Sequence, residues 1–291
     1  MSTHLAFLGT GLMGAPMVRN LLKSGFAVTA WNRSPDKAEA LVADGAVFAA
    51  DVTDAVSAAD IIITMVSDGR AMRALLEDAG VARSARKGAV LVDMSSIKPA
   101  EARAHADLLA AHGIGAIDAP VSGGTRGAID ATLAIMAGGT EADFARVEAA
   151  LSAMGRPVLV GPSGSGQLAK LANQGIVATT IGIVAEAMLL MKTAGADMNR
   201  FRDALKGGFA DSVILQQHGQ RMAEENFVAG GRSVLQLKDL DNLLTEAQQL
   251  GLSLPQSELQ RDRFRHLVDS MDGGELDHSA LFLELLARQA K

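Results

Sequence analysis

Residues 6–16 read AFLGTGLMGAP, with Gly9, Gly11 and Gly14 directly behind an apolar run. The preceding HLAFLG has strand character and residues 12–24 have helix character. The glycines therefore open the first strand–helix–strand unit, the context in which this spacing carries meaning. Each has a task there: Gly9 permits the tight turn, Gly11 the close approach of a pyrophosphate to the backbone, and Gly14 the close packing of helix on strand. Free amide hydrogens and the positive end of the helix dipole favour an anion at that point. The stretch predicts a dinucleotide-binding loop, with Leu12 and Met13 in the same turn touching the ligand.

Working outward, short apolar runs alternate with alanine-rich helical ones. AVTAW, DIIITMV, AVLVDM and GAIDAP follow HLAFLG, with helices over 12–24, 35–44, 69–78 and 99–112. Strands that are apolar throughout and separated by helices predict a parallel sheet covered on both faces. TLAIMAGG and PVLVG add two strands around the helix EADFARVEAALSAM. The fold class is α/β: a Rossmann-type doubly wound sheet followed by an all-α C-terminal domain. The cluster GPSGSG (161–166) marks the boundary, giving a cofactor-binding domain over 1–162 and a substrate and oligomerisation domain over 163–291. The second domain reads as helices over 166–194, 198–206, 212–224, 233–250, 257–271 and 279–289, with Met188 and Met191 as core filler.

At 291 residues and 48% hydrophobic content the chain is long enough for two cores. The net charge of −6 argues against a nucleic-acid partner, which needs a basic face. The uncharged apolar region Leu171 to Ala185 is shorter than the roughly 18 residues of a membrane span, so no membrane partner is expected. Without cysteine there is no disulfide or thiolate metal site, which fits a reducing, cytoplasmic setting. His105 and His112 are too isolated to build a metal site, so none is expected. The N-terminus lacks a signal-peptide pattern and predicts a mature chain that starts at or near Met1.

The end of the second strand separates the two nicotinamide cofactors, because a carboxylate about 20 residues past the glycines binds the ribose and repels a 2′-phosphate. Here the sequence is WNRS: Asn32 is uncharged, Arg33 can pair with a phosphate and Ser34 can donate to it. NADP(H) is therefore favoured over NAD(H), which remains possible. Gln167, Lys170, Asn173 and Gln174 form a polar stripe on an otherwise apolar helix. A partly desolvated lysine there is suited to proton transfer, and the amides can hold a hydroxyl, carbonyl or carboxylate beside it. DAPVSGG (118–124) runs from a strand end into Ser122, Gly123 and Gly124, whose amides and hydroxyl can form an anion site or a plain turn. Asp277 reads as a helix cap with His278 bordering the site.

Together, FLGTGLMGAPM, ITMVSD, VDMSSIKP, DAPVSGG, GSGQLAKLANQ and LKDL resemble, in order and over essentially the whole chain, the β-hydroxyacid dehydrogenase family, which includes 3-hydroxyisobutyrate dehydrogenase and tartronate semialdehyde reductase. The resemblance implies a Rossmann domain, an all-α domain and homodimers or homotetramers. It implies Lys170 as general acid/base, and Ser122, Gly123 and Gly124 as the loop for the substrate carboxylate. Met65, Val66 and Ser96 would lie along the cofactor, and Lys238 would close over cofactor and substrate. Where many members carry two asparagines after the lysine, this chain has Asn173 and Gln174. KLANQ, DMSSI and DHSAL are similar to the tartronate semialdehyde reductases.

The expected reaction is reduction of a small anionic semialdehyde, with tartronate semialdehyde to glycerate favoured, or the reverse oxidation of the 3-hydroxy acid. Lys170 protonates the alkoxide, and Asn173 and Gln174 orient the substrate. The alternatives are 3-hydroxyisobutyrate, succinic semialdehyde, threonate or sulfolactaldehyde as substrate, an imine reductase, or a non-catalytic NADPH-binding module. Imine reductases typically lack the lysine.

Overall fold

The computed structural model describes residues 3–289, so the expected start at Met1 lies outside the described residues. Two compact units make up the chain, Met1–Lys170 and Leu171–Lys291. The first runs β1 (His4–Leu8), α1 (Gly14–Lys23), β2 (Ala27–Trp31), α2 (Asp36–Glu39), β3 (Val47–Phe48), α3 (Val52–Ser57), β4 (Ile61–Thr64), α4 (Gly69–Arg73), α5 (Val81–Ser84), β5 (Val90–Asp93), α6 (Pro99–Ala111), β6 (Gly115–Asp118), β7 (Val121–Ser122), α7 (Gly124–Ile129), β8 (Leu133–Gly139), α8 (Glu141–Ser152) and β9 (Gly155–Gly161).

The sheet order is β3-β2-β1-β4-β5-β6-β8-β7, with β9 on β8. From β3 to β6 every pair is parallel. Beyond β6 the prediction of a parallel sheet gives way: β8 runs antiparallel to both β6 and β7. The reason is local. After β6 the chain continues in the same direction through β7 and reverses over the short α7 instead of making a full helical crossover, and a reversal of that kind delivers an antiparallel strand. The two faces carry separate cores because alternate strand residues point to opposite sides. Leu5 and Phe7 of β1 belong to one cluster, and Ala6 and Leu8 to the other.

The short elements β3, α3, α5, β7 and α7 were not anticipated. The helix expected over 35–44 shortens to α2 and a 3-10 turn at Val42–Asp44, and the one expected over 69–78 is α4 continued by a π turn at Ala74–Asp78. The glycine cluster at 161–166 does not behave as a free linker. A Cβ on Gly166 would overlap the carbonyl oxygens of Asp118 and Met136, so these glycines allow close packing of the next helix, and the division between units falls inside that helix.

That helix is α9 (Ser165–Thr193), followed by α10 (Met198–Leu205), α11 (Val213–Ala223), α12 (Ser233–Gln249), α13 (Pro255–Ser270) and α14 (Leu281–Gln289). The core of the second unit packs Leu171, Ile181, Ala185 and Met188 of α9 with Leu240, Phe264, Leu267 and Phe282. Met191 is half-buried. Gly182 lets Gln260 lie against α9, since a Cβ there would collide with its carboxamide. Arg263 and Glu284, both buried, pair at 3.0 Å, and Arg288 and His266 also face the Glu284 carboxylate. By length and composition α9 is apolar enough to cross a membrane, longer than the uncharged stretch within it suggests, and 39% of its most apolar window is buried inside the protein.

Candidate active site

The glycine loop sits at the C-terminal ends of β1 and β4, where the strand order reverses, the crevice in which open α/β sheets bind ligands. Gly9 has φ +105°, and a Cβ on it would overlap the Met65 carbonyl. A Cβ on Gly14 would overlap the Gly9 carbonyl and crowd the Phe7 ring. Both glycines are demanded by the protein's own packing. Gly11 is different: nothing lies within 4 Å of the Cβ position, so the fold itself leaves that space open. Thr10 between them is buried, and its hydroxyl has no hydrogen-bond partner among the described residues. An open position over Gly11, next to an orphaned hydroxyl at a helix start, fits a phosphate-bearing dinucleotide. Leu12 is 86% exposed on the same loop, and Met13 precedes the first turn of α1.

A cleft of about 470 Å³ runs from this loop along the end of β2, lined by Gly9, Gly11, Asn32, Arg33, Met65 and Val66, with Ser34 and Lys37 at its edge. Asn32 is committed to the loop: its Oδ1 accepts from the Thr10 amide at 3.0 Å and its Nδ2 donates to the Ser34 carbonyl at 3.0 Å. The side chains of Arg33 and Lys37 are exposed and make no hydrogen bond or ion pair with the described residues. Lys37 was not singled out in the sequence. It lies beyond the strand-end motif and reaches the cleft because α2 begins immediately after WNRS.

At the ends of β5 and β6 stand two buried carboxylates. Asp93 accepts through Oδ1 from the Thr64 hydroxyl (2.9 Å) and the Ser95 amide (3.0 Å). Asp118 accepts from the amides of Gly164 (2.7 Å) and Gln167 (2.9 Å), so it caps the first turn of α9. Burial pushes each up to about 6. The Ser95 hydroxyl accepts from the Val66 amide at 2.9 Å, which ties the β4 and β5 loops together. Ser96 beside it is half-buried. Gln167, read from the sequence as a possible substrate amide, is 1% exposed and spent: it donates to the Ser95 carbonyl (2.8 Å) and accepts from the Ile97 amide (3.1 Å). Lys170, half-buried, follows three residues later on α9. Ser122 is half-buried at the end of β7, and Gly123 (φ +137°) and Gly124 (φ +61°) form an exposed turn into α7.

In the second unit, Asn173 donates to the Gln174 Oε1 at 2.9 Å. Gln174 in turn donates to Asp239 (2.9 Å) and to Gln236 (3.3 Å), both on α12. Gln174 therefore holds Asn173 and ties α9 to α12, and its polar atoms are already engaged. Asp239 also faces Lys238 at 3.4 Å. Asp239 and Gln236 were missed in the sequence, because their place beside Gln174 depends on the packing of two helices far apart in the chain. Asp277 caps the short turn at His278–Ala280, accepting from the Ser279 amide and hydroxyl and from the amides of Gly230 and Gly231. Burial alone would raise this carboxylate, but the His218 ring nitrogen at 3.3 Å and hydrogen bonds from Ser279 and Gly231 hold it well below the usual range. The His278 ring, stacked on His218 at 6.3 Å, bonds the Arg232 carbonyl.

Residues 4–161 match the family model of the NAD-binding domain of 6-phosphogluconate dehydrogenase, and residues 164–285 that of the NAD-binding region of NADP-dependent 3-hydroxyisobutyrate dehydrogenase. The chain is 42% identical over 287 residues to 2-hydroxy-3-oxopropionate reductase of Escherichia coli, covering 97% of this chain and 98% of that one. Among solved structures it resembles the 3-hydroxyisobutyrate dehydrogenase of Mycobacterium tuberculosis with L-serine at TM-score 0.88 and 31% identity, covering 98% of this chain and 99% of the other. An imine reductase from Pseudomonas sp., at 22% identity and TM-score 0.65, shares the fold. The glycine loop at the switch point, the helical second unit and these matches together establish that the chain belongs to the 3-hydroxyisobutyrate dehydrogenase-like family of NAD(P)-dependent hydroxyacid dehydrogenases.

Proposed function

We propose that this enzyme uses NADPH to reduce a small carboxylate-bearing semialdehyde, with tartronate semialdehyde to glycerate the favoured reaction, and oxidises the 3-hydroxy acid in reverse. The observation that carries the substrate is the 42% identity, across nearly the full length of both chains, to a 2-hydroxy-3-oxopropionate reductase. The cofactor preference is supported by the end of β2, where a neutral Asn32 replaces the carboxylate that would repel a 2′-phosphate and where Arg33 and Lys37 stand uncommitted at the cleft.

When bound, the nicotinamide supplies the hydride. Lys170, as the ammonium, donates a proton to the carbonyl oxygen as it becomes an alkoxide, and takes it back in the oxidation. Asn173, one turn along α9, orients that oxygen or the neighbouring hydroxyl, and Gln174 holds Asn173 through its bond to Oε1. The Ser122 hydroxyl and the amides of Gly123 and Gly124 bind the substrate carboxylate. Ser96 borders the nicotinamide end, and Lys238 closes the site. Such positioning can supply several kcal/mol of barrier reduction. Assembly into a homodimer or homotetramer is supported by Ile176, Ile183 and Leu190, which are spaced by seven on α9 and more than half exposed.

The test is the initial rate of NADPH oxidation with tartronate semialdehyde, beside NADH and a panel of other carboxylate-bearing aldehydes, in the parent and in Lys170→Ala. Fast turnover that the substitution abolishes while NADPH still binds is the expected result. A better rate on another aldehyde replaces the substrate, and undiminished turnover in Lys170→Ala removes the proton-transfer role.

A further inference from the structure

Gln167 makes its two long-range bonds to the flanks of a single residue. The carboxamide accepts from the Ile97 amide at 3.1 Å and donates to the Ser95 carbonyl at 2.8 Å. Those are the two backbone groups that a neighbouring strand would engage on either side of Ser96, so the side chain acts as a one-residue strand partner to the segment after β5. The same residue's amide, with that of Gly164, donates to Asp118 at the end of β6. The first turn of α9 is thus fastened to two strand ends, and Ser95 passes the constraint on through its hydroxyl to the Val66 amide in the cofactor cleft. Gln167 is 1% exposed, so its amide is spent entirely on this arrangement.

We propose that Gln167 is a positioning residue of the reaction: its carboxamide sets the separation between the α9 turn that carries Lys170 and the Ser95–Ile97 segment at the nicotinamide end. This rests on the reading of Lys170 as the proton donor. Proton and hydride must reach adjacent atoms of one carbonyl, so the lysine and the nicotinamide-end loop have to hold one spacing. A displacement near 1 Å costs about 100-fold in rate. The clamp touches neither substrate nor cofactor and acts through the backbone on either side of Ser96.

The experiment compares the parent, Gln167→Met, Gln167→Glu and Lys170→Ala in the full-length protein, reading kcat, KM, the NADPH Kd from quenching of Trp31, and thermal stability. Trp31 is the single tryptophan of the chain and lines the cleft. Gln167→Met keeps the bulk and removes both bonds. It is expected to lower kcat by about 10- to 100-fold while the NADPH Kd stays within about threefold. Gln167→Glu supplies a variant that retains the acceptor for Ile97. Its buried carboxylate cannot donate to Ser95, but once protonated it can donate again, so its kcat relative to the parent is expected to rise as the pH falls from about 8 to about 5.5. A Gln167→Met kcat within twofold of the parent, or a flat pH ratio for Gln167→Glu, overturns the proposal. If Lys170→Ala keeps full turnover, the proton-donor reading falls. If Lys170→Ala is inactive and Gln167→Met is not impaired, the clamp alone falls.

Discussion

Replacing Asp93 with asparagine is expected to stabilise the protein, and to do so only where the carboxyl would be charged. Asp93 is 5% exposed at the end of β5, and both of its donors, the Thr64 hydroxyl and the Ser95 amide, reach Oδ1. Its Oδ2 has no hydrogen-bond partner among the described residues and neither has either ring nitrogen of His105, which lines the same cavity of about 20 Å³. Burial raises the carboxyl from 3.8 to about 6. At 1.36 kcal/mol per pKa unit, holding it ionised in the folded state costs about 3 kcal/mol. The sign follows from proton binding. Between pH 3.8 and about 6 the folded protein keeps a proton that the unfolded chain has released, so this group's contribution falls as pH rises through that window and stays low above it. Asparagine retains the Oδ1 acceptor, carries no charge, and turns an amide donor toward the cavity and His105. Urea unfolding of Asp93→Asn against the parent should show a gain of about 3 kcal/mol at pH 8 and roughly half of that at pH 5. An equal effect at both pH values, or a loss at pH 8, would refute the assignment of burial as the dominant influence.

Arg33→Ala and Lys37→Ala should each weaken NADPH binding by about tenfold at low salt, the low end for a charge-assisted hydrogen bond at an exposed site, with the NADH Kd unchanged in fluorescence titrations; equal losses for both cofactors would contradict a 2′-phosphate site. Gly14→Ala should fail to fold or melt far below the parent, because its Cβ overlaps the Gly9 carbonyl, whereas Gly11→Ala should melt like the parent and bind cofactor less tightly. Gln174→Ala removes the bonds to Asp239, Gln236 and Asn173 and is expected to cost about 1–3 kcal/mol of stability and to lower kcat, measured by denaturation and steady-state kinetics. Arg263→Met removes the buried partner of Glu284 but leaves Arg288 and His266 on the carboxylate, so it should cost about 3 kcal/mol, the low end for a broken buried pair, in the same unfolding assay.

Local chemistry alone determined much of this protein. The glycine spacing behind β1, the neutral WNRS at the end of β2 and the apolar periodicity of the second half are short-range signals, and they delivered the doubly wound sheet, the dinucleotide loop, the all-α region and helix positions to within two residues for α9 through α12. Asp277 as a cap was legible for the same reason, since capping is a contact with residues next in the chain. What depended on distant residues was decided by tertiary structure. The brief β3 and β7 exist through the partners they pair with, and β8 runs antiparallel because of how the chain doubles back after β6. The glycines at 161–166 read as a domain boundary, and only the folded chain shows Gly166 packed on the carbonyls of Asp118 and Met136. Gln167 and Gln174 were visible as polar side chains on one helix, but their partners lie 62 to 72 residues away, so only the folded chain shows that both amides are already spent on holding other groups in place. Periodicity places a side chain on a face. Which group meets it there is set by long-range packing.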